Sequence, residues 1–196
     1  DEVCVTFAAT ISGNTKVYTS PNFKSVFTDG DQIGVFAVRH ADGVSADLRS
    51  SGNYVHNMKL TYLAGAWTSE RPVYFPNNGD LLDFYAYHPY EEGVDPTGIV
   101  FSVGEDQSSQ SKFSRSDLMK TYSCENVKIR QPVNLSFYHT LALVHIEVLG
   151  ASDPGLTATL LSCMPETRMN LADNLPLSGS GTTVEIAMLR LEEDPQ

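Results

Sequence analysis

The sequence predicts an all-β fold, and three segments are the basis of this prediction. Val3–Ile11 alternates apolar and polar residues, Val73–Tyr90 places a turn signal between two strand-like runs, and Gln131–Leu149 is a long alternating stretch. Alternation with a period of two is the pattern of a β-strand with one buried face. The strands are separated by polar, Gly- and Pro-containing loops. Such a chain is typical of two packed β-sheets.

The first segment predicts a half-buried strand at the start of the chain. Its odd positions are apolar and share one face, while its even positions are small or polar and share the other. The apolar face consists of Val3, Val5, Phe7, Ala9 and Ile11.

The second segment reads VYFPNNGDLLDFYAYHPY and predicts a β-hairpin. Asn78-Gly79 is the dipeptide preferred in type I′ turns, which need a positive φ at both central residues. Pro76 cannot donate a hydrogen bond to a neighbouring strand, so it is expected at a strand end or sheet edge. From Leu81 to Tyr87 both faces are largely apolar, which predicts a strand covered on both sides.

The third segment changes phase. Apolar residues occupy odd positions from Val133 to Phe137 and even positions from Val144 to Val148. A shift of one residue turns every side chain to the opposite face. We therefore expect a bulge or bend near residues 139–142, where the strand passes from one sheet to another.

The remaining elements complete a first domain and begin a second. Further strands are predicted at Ile33–Arg39, Tyr54–Leu63, Trp67–Phe75 and Ile99–Val103, and a helical turn at Ser116–Thr121. The stretch GASDPG at 150–155 resembles a linker, which predicts domains at 1–149 and 150–196. The second part contains strand patterns at 156–163 and 183–191, although 184–191 could instead form a short helix. It is either docked on the first domain or the beginning of another domain.

Composition narrows the class of protein. The 196 residues carry a net charge of −11, which argues against binding nucleic acid. There is no apolar run of 18 residues, so no membrane-spanning helix is predicted.

Any precursor segment or lipid-bearing cysteine is expected upstream of Asp1. Cys4, Cys124 and Cys163 form no metal-binding spacing; buried free thiols are favoured over one disulfide plus one thiol.

The chain offers little that resembles a catalytic or metal site. Its five histidines form no HxH, HxxxH or HExxH motif, and structural roles are favoured for them. Asp29-Gly30-Asp31 fits a turn better than a calcium loop, because apolar residues follow it. The carboxylates around Asp80–Asp95 fit solvated charges better than a glycosidase pair. We expect no catalytic residue, no cofactor and no metal.

Five blocks, in order, resemble the fimbrillin family, the lipoprotein-derived pilins of Bacteroides-type bacteria. The resemblance spans roughly residues 3–149. The blocks are FTDGDQIGVFA at 27–37, the segment 73–90, DQS at 106–108, SDLM at 116–119 and VNLSFYHTLA at 133–142.

The resemblance implies transthyretin-like β-sandwiches of Greek-key type in a secreted, lipidated precursor at the outer membrane. It further implies that a trypsin-like protease removes the first strand and that a strand from another subunit replaces it. Val3, Val5, Phe7, Ala9 and Ile11 are then the replaceable strand. Family members usually have Arg after this strand; here Lys16 is the candidate processing site.

We therefore expect a non-enzymatic fimbrial subunit or accessory adhesin at the cell surface. Its partners would be other pilin subunits, identical or different, and the ligand could be a host or bacterial surface molecule. The alternative is a surface glycan-binding β-sandwich that does not polymerise, which requires exposed aromatic residues on one face. Trp67, the single tryptophan, is more typical of core or rim packing. A hydrolase would need a cleft that the sequence does not reveal.

Overall fold

The computed structural model describes residues 2–12, 26–41, 43–122, 124–149, 153 and 155–190. These residues form fourteen β-strands and one short helix, which confirms the predicted all-β class. In chain order they are β1 Phe7–Ile11, β2 Gln32–Ala41, β3 Val44–Ser45, β4 Val55–Leu63, β5 Ala66–Ser69, β6 Leu82–His88, β7 Ile99–Ser102, α1 Gln110–Arg115, β8 Met119–Thr121, β9 Cys124–Val127, β10 Val133–His139, β11 Thr159–Cys163, β12 Glu166–Met169, β13 Gly179–Ser180 and β14 Val184–Ala187.

The largest sheet has nine strands. Its hydrogen-bonded order is β1-β10-β8-β6-β2-β4-β5, with β3 beside β2 and β9 beside β6. The β1–β10 pair is parallel, and the other pairs in this order are antiparallel. Two smaller sheets, β13-β12-β7 and β11-β14, accompany it. These sheets give the sandwich-like arrangement.

The central strand β6 is buried on both faces, as its sequence predicts. Leu82, Phe84 and Ala86 lie in a first core cluster, and Tyr87 lies in a second one on the other face. The first core cluster comprises Val5, Ile33, Val35, Ala37, Val55, Met58, Leu60, Val73, Phe75, Leu82, Phe84, Ala86, Met119, Val127, Val133, Leu135 and Phe137. The second comprises Phe36, Val38, Leu48, Tyr87, Ile99, Phe101, Leu118, Met169 and Leu171.

The hairpin predicted for Val73–Tyr90 is wrong. A turn does form, with the Gly79 amide donating to the Pro76 carbonyl at 3.3 Å. Gly79 has a positive φ of 82°, but Asn78 does not, so the turn is not type I′. The two flanking runs do not pair, because β6 already pairs with β2 on one side and with β8 and β9 on the other. Residues 73–75 pair instead with the start of the chain.

The segment 131–149 also differs from its prediction. Strand β10 ends at His139, and residues 142–149 form no strand. The alternating residues Val144, Ile146 and Val148 are all exposed. A bend does follow β10, but residues 142–149 join no sheet.

The helical turn predicted at Ser116–Thr121 is wrong as well. That stretch contains β8, which is central in the large sheet, and the helix α1 precedes it. Tertiary pairing with β6 and β10 decides the structure of such a short segment. Within the described part of the chain, no helix has the length and apolar character needed to cross a bilayer.

The later residues contact the earlier ones through β12. This strand pairs with β7, from Glu166 opposite Ser102 to Met169 opposite Ile99. Met169 and Leu171 belong to the second core cluster. These contacts attach β12 to the first part of the chain, and the domain division between residues 149 and 150 stays a prediction.

Candidate functional site

The first strand forms one end of the large sheet. β1 pairs in parallel with β10, from Phe7 opposite Val133 to Ile11 opposite Phe137. The pairing is extended by the Val133 amide, which donates to the Thr6 carbonyl at 2.9 Å. No other strand of the described residues borders β1 in the hydrogen-bonded order. The strand therefore occupies a sheet edge.

The beginning of the same segment pairs with a different part of the molecule. The Val5 amide donates to the Val73 carbonyl at 2.7 Å, and the Phe75 amide donates to the Val3 carbonyl at 2.9 Å. β1 also lies close to β5, the strand at the opposite end of the sheet order. The two ends of the large sheet thus approach each other, and residues 7–11 pair with β10 while residues 3–5 pair with residues 73–75.

The side chains of this segment alternate as the sequence predicts. Val5 is only 6% exposed and belongs to the first core cluster. Val3, Phe7, Ala9 and Ile11 are partly buried and pack against that cluster. The Phe7 ring meets the Phe84 ring edge-on, with centroids 5.9 Å apart. The intervening residues Cys4, Thr6, Ala8 and Thr10 are exposed.

We call the surface beneath this segment the first-strand slot. Its floor is the first core cluster, and its two sides are the edge of β10 and residues 73–75. Without the segment, these edges would present unpaired backbone N–H and C=O groups beside apolar side chains. Lys16, the candidate processing site, lies outside the described residues.

Sequence reasoning identified the strand but missed the two edges that hold it. Val73 and Phe75 alternate with Tyr74, a weak strand signal that was assigned to the wrong partner. The parallel pairing with β10 joins residues more than 120 positions apart. No local sequence pattern predicts the pairing of β1 with β10.

A Ser, a His and an Asp do meet elsewhere, but not as a catalytic triad. His40 Nε2 lies 2.7 Å from Asp83 Oδ2, and Ser45 Oγ donates to that same oxygen at 2.6 Å. In a triad the hydroxyl would donate to the imidazole instead. The Asn126 amide donates to Asp83 Oδ1 at 2.7 Å. This buried carboxylate ties β2, β3, β6 and β9 together.

The other titratable groups also have structural partners. His139 Nδ1 lies 2.8 Å from Asp117 Oδ1, and this hydrogen bond raises the pKa of His139. Burial lowers the pKa of His88. In the Asp29–Asp31 turn, Asp29 Oδ1 accepts from the Ala64 amide at 2.9 Å, and Asp31 Oδ2 accepts from the Thr28 amide at 2.7 Å. Across the described ranges, no cluster of three metal-ligating side chains occurs.

The three cysteines are all described, and none forms a disulfide. Cys4 is exposed, so the expectation of burial is wrong for that residue, and the other two are half-buried. Burial raises the pKa of the Cys124 thiol.

Trp67 is half-buried at the rim of the first core cluster, with its ring centroid 4.9 Å from that of Phe27.

Comparison with known families identifies the chain. A family model described as "Fimbrillin-like" matches residues 15–185. This chain belongs to the fimbrillin-like family. The fimbrillin resemblance noted in the sequence is confirmed.

Individual relatives of this fimbrillin-like chain come from Bacteroides species. A candidate fimbrium tip subunit, Fim1C, of Bacteroides ovatus is 30% identical over 142 residues, which are 64% of this chain and 24% of the relative. A candidate fimbrium subunit, also Fim1C, of Bacteroides uniformis is 29% identical over 126 residues, 63% of this chain and 39% of the relative. The chain thus spans well under half the length of either relative.

Solved structures share the fold. A candidate cell adhesion protein from Bacteroides uniformis has a TM-score of 0.62 and 23% identity, over 95% of this chain and 69% of that one. Another from Bacteroides ovatus has a TM-score of 0.65 and 18% identity, over 96% of this chain and 72% of that one.

Proposed function

We propose that this protein is a structural subunit of a cell-surface fimbrium and that it joins other subunits by strand exchange at the first-strand slot. Membership of the fimbrillin-like family and the two relatives named as fimbrium subunits support the fimbrial role. The single observation that carries the exchange step is the backbone pairing of residues 3–11 with two separate segments, β10 and residues 73–75.

The exchange step follows from the physics of this slot. Removal of residues 3–11 would expose the part of the first core cluster that Val5 and Phe7 cover. It would also leave the backbone edges of β10 and of residues 73–75 unpaired. Each large apolar side chain is worth roughly 1.5–3 kcal/mol when fully buried. A strand from another subunit with apolar residues at alternate positions would restore both the burial and the backbone hydrogen bonds. The partner is an identical or a different pilin subunit.

Processing would turn the closed subunit into an acceptor. We propose that a trypsin-like protease cuts at Lys16, between the first strand and β2. The precursor would reach the outer membrane as a lipoprotein, with its lipid anchor upstream of Asp1. No catalytic step, cofactor or metal enters this scheme.

Peptide capture after limited proteolysis tests the exchange step. The purified chain is treated with trypsin, cleavage is located by intact mass, and a labelled peptide with the sequence of residues 2–12 is added in excess. Native mass spectrometry then measures incorporation. A chain carrying Lys16→Gln and Lys24→Gln serves as the uncut control, and a peptide carrying Phe7→Asp and Ala9→Asp serves as the mismatched ligand.

We expect one peptide per cleaved chain, with little incorporation into the uncut control or from the mismatched peptide. The proposal is wrong if the cleaved chain takes up no matched peptide. It is equally wrong if the uncut chain takes up the peptide as readily, because release of the first strand would then be irrelevant.

A further inference from the structure

A surface pocket adjoins the beginning of the first strand. Its volume is about 570 Å³, within the range of small-ligand sites in proteins, about 300–1,000 Å³. We call it the Tyr54–Tyr74 pocket. Its lining includes the polar side chains of Glu2, Arg39, Tyr54, Tyr74, Asn77 and Asn78, together with residues 75 and 76.

Two tyrosines supply aromatic surface to this pocket. Tyr54 and Tyr74 are each 38% exposed, so part of each side chain faces solvent. The Tyr54 hydroxyl donates to the Tyr74 carbonyl at 2.7 Å, which fixes the first ring against the backbone of the second residue. Rings that are held in place lose little conformational entropy when a ligand binds.

Arg39 is also held in position. Its Nη2 and Nε donate to Asp80 Oδ2 at 2.6 and 3.2 Å, and Nη2 lies 3.3 Å from Asn78 Oδ1. Its guanidinium carbon lies 5.5 Å from the centroid of the Tyr54 ring. These bonds, within the described residues, use Nε and Nη2, so the Nη1 group can donate to a ligand.

The electrostatics of the pocket select the class of ligand. Asp80 already neutralises the single positive charge of Arg39, and Glu2 adds a negative charge to the lining. Among these residues, an anionic ligand would therefore find no cation without an acidic partner, and the Glu2 carboxylate would repel it. The Asn77 side-chain amide offers a donor and an acceptor to a hydroxyl group. Asn78 offers its Nδ2 donor, because its Oδ1 already accepts from Arg39 and from the Asp80 amide.

We propose that the Tyr54–Tyr74 pocket binds a neutral oligosaccharide. The two rings would pack on the apolar faces of pyranose units, and Arg39, Asn77 and Asn78 would hydrogen-bond to hydroxyls. The pocket adjoins the first-strand slot, because Tyr74 and Phe75 line the pocket and also belong to the segment that forms one side of the slot.

The test uses the intact, uncleaved chain, so that its result does not depend on strand exchange. The protein is applied to immobilised neutral oligosaccharides of glucose, galactose, mannose and N-acetylhexosamines, and to sialylated and uronate-containing counterparts. Affinity for any hit is measured by titration calorimetry. Tyr54→Ala and Asn77→Ala test the pocket, and Tyr122→Ala is the matched control, because Tyr122 is an exposed tyrosine outside it. Thermal unfolding verifies that each variant is folded.

We expect binding to at least one neutral oligosaccharide, a loss of tenfold or more in affinity with Tyr54→Ala, a smaller loss with Asn77→Ala, and no change with Tyr122→Ala. If Tyr54→Ala does not fold, the comparison of Asn77→Ala with Tyr122→Ala decides. The inference is overturned if no neutral oligosaccharide binds, if only anionic ones bind, or if both Asn77→Ala and Tyr54→Ala bind like the parent protein.

Discussion

Tyr87 covers Gly34, its direct cross-strand partner in the β2–β6 pair. A Cβ atom at Gly34 would overlap Cε1 of the Tyr87 ring and lie 2.8 Å from Asn57 Oδ1. The ring cannot easily move, because its hydroxyl lies 2.9 Å from Asn57 Oδ1 and 2.8 Å from the Glu91 carbonyl. Gly34 belongs to the block IGVFA and Tyr87 to the block DFYAY. Two of the blocks that resemble fimbrillins thus contact each other.

This contact predicts that Gly34→Ala is destabilising. Forcing an extra methyl group against a fixed ring should lower the free energy of unfolding by about 1–3 kcal/mol. Urea unfolding of the single variant measures the loss. In a Tyr87→Ala background the same change should cost much less, since the overlapping ring is absent. An equal cost in both backgrounds would show that the ring is not the cause.

A second prediction concerns Val5, the most buried residue of the first strand. Val5→Ala should lower the free energy of unfolding by about 2 kcal/mol through lost apolar burial and a residual cavity. Thr6→Ala, at the exposed neighbouring position, should change it by less than about 0.5 kcal/mol. Because the same contact opposes release of the strand, Val5→Ala should also speed peptide capture by the cleaved chain. Similar rates for the two variants would contradict this role for Val5.

Local pattern and long-range pairing account for what the sequence did and did not predict. The burial of both faces of β6 and the inward side of Val3–Ile11 follow from residue order alone, because side chains alternate along a strand. The strands with which they pair do not follow from residue order. Residues 73–75 carry only a short alternating pattern, and they pair with Val3 and Val5 and not with β6, which has other neighbours.

The candidate sites divide in the same way. The apolar face of the first strand was predictable, whereas its position between β10 and residues 73–75 depends on pairings between residues far apart in the sequence. The Tyr54–Tyr74 pocket combines Glu2, a residue of β2, the residue just before β4 and part of the 73–78 segment. No spacing in the sequence brings these together. The contact between Gly34 and Tyr87 could not be predicted either. A glycine in a strand indicates that another group approaches the backbone closely, but it does not identify that group.

The buried carboxylate of Asp83 gives a third prediction. Asp83→Ala leaves the buried His40 imidazole and the Asn126 amide without their acceptor, and should lower the free energy of unfolding by about 2–4 kcal/mol. Asp80→Ala, three residues earlier in the chain, is the matched control. Its partner Arg39 is 42% exposed, so the loss should be clearly smaller than that of Asp83→Ala. Urea unfolding of both variants makes the comparison, and equal losses would refute the structural role of Asp83.

The fourth prediction concerns the dependence of stability on pH. The hydrogen bond with Asp117 raises the pKa of His139 in the folded chain above its usual 6.5. The folded state therefore holds this proton more tightly than the unfolded state. The resulting stabilisation is fully present below about pH 6.5 and is lost as the pH rises through the folded pKa of His139.

His88 should act in the opposite sense, since burial lowers its pKa. Its stabilising contribution is present above about pH 6.5 and is lost as the pH falls through its folded pKa. Urea unfolding between about pH 5 and pH 8 measures both effects. His139→Gln should make the stability of the chain rise more steeply with pH, because the opposing loss is removed. His88→Gln should make it rise less steeply. Slopes that change in the same direction in the two variants would contradict the assignment, whatever the absolute stability of each.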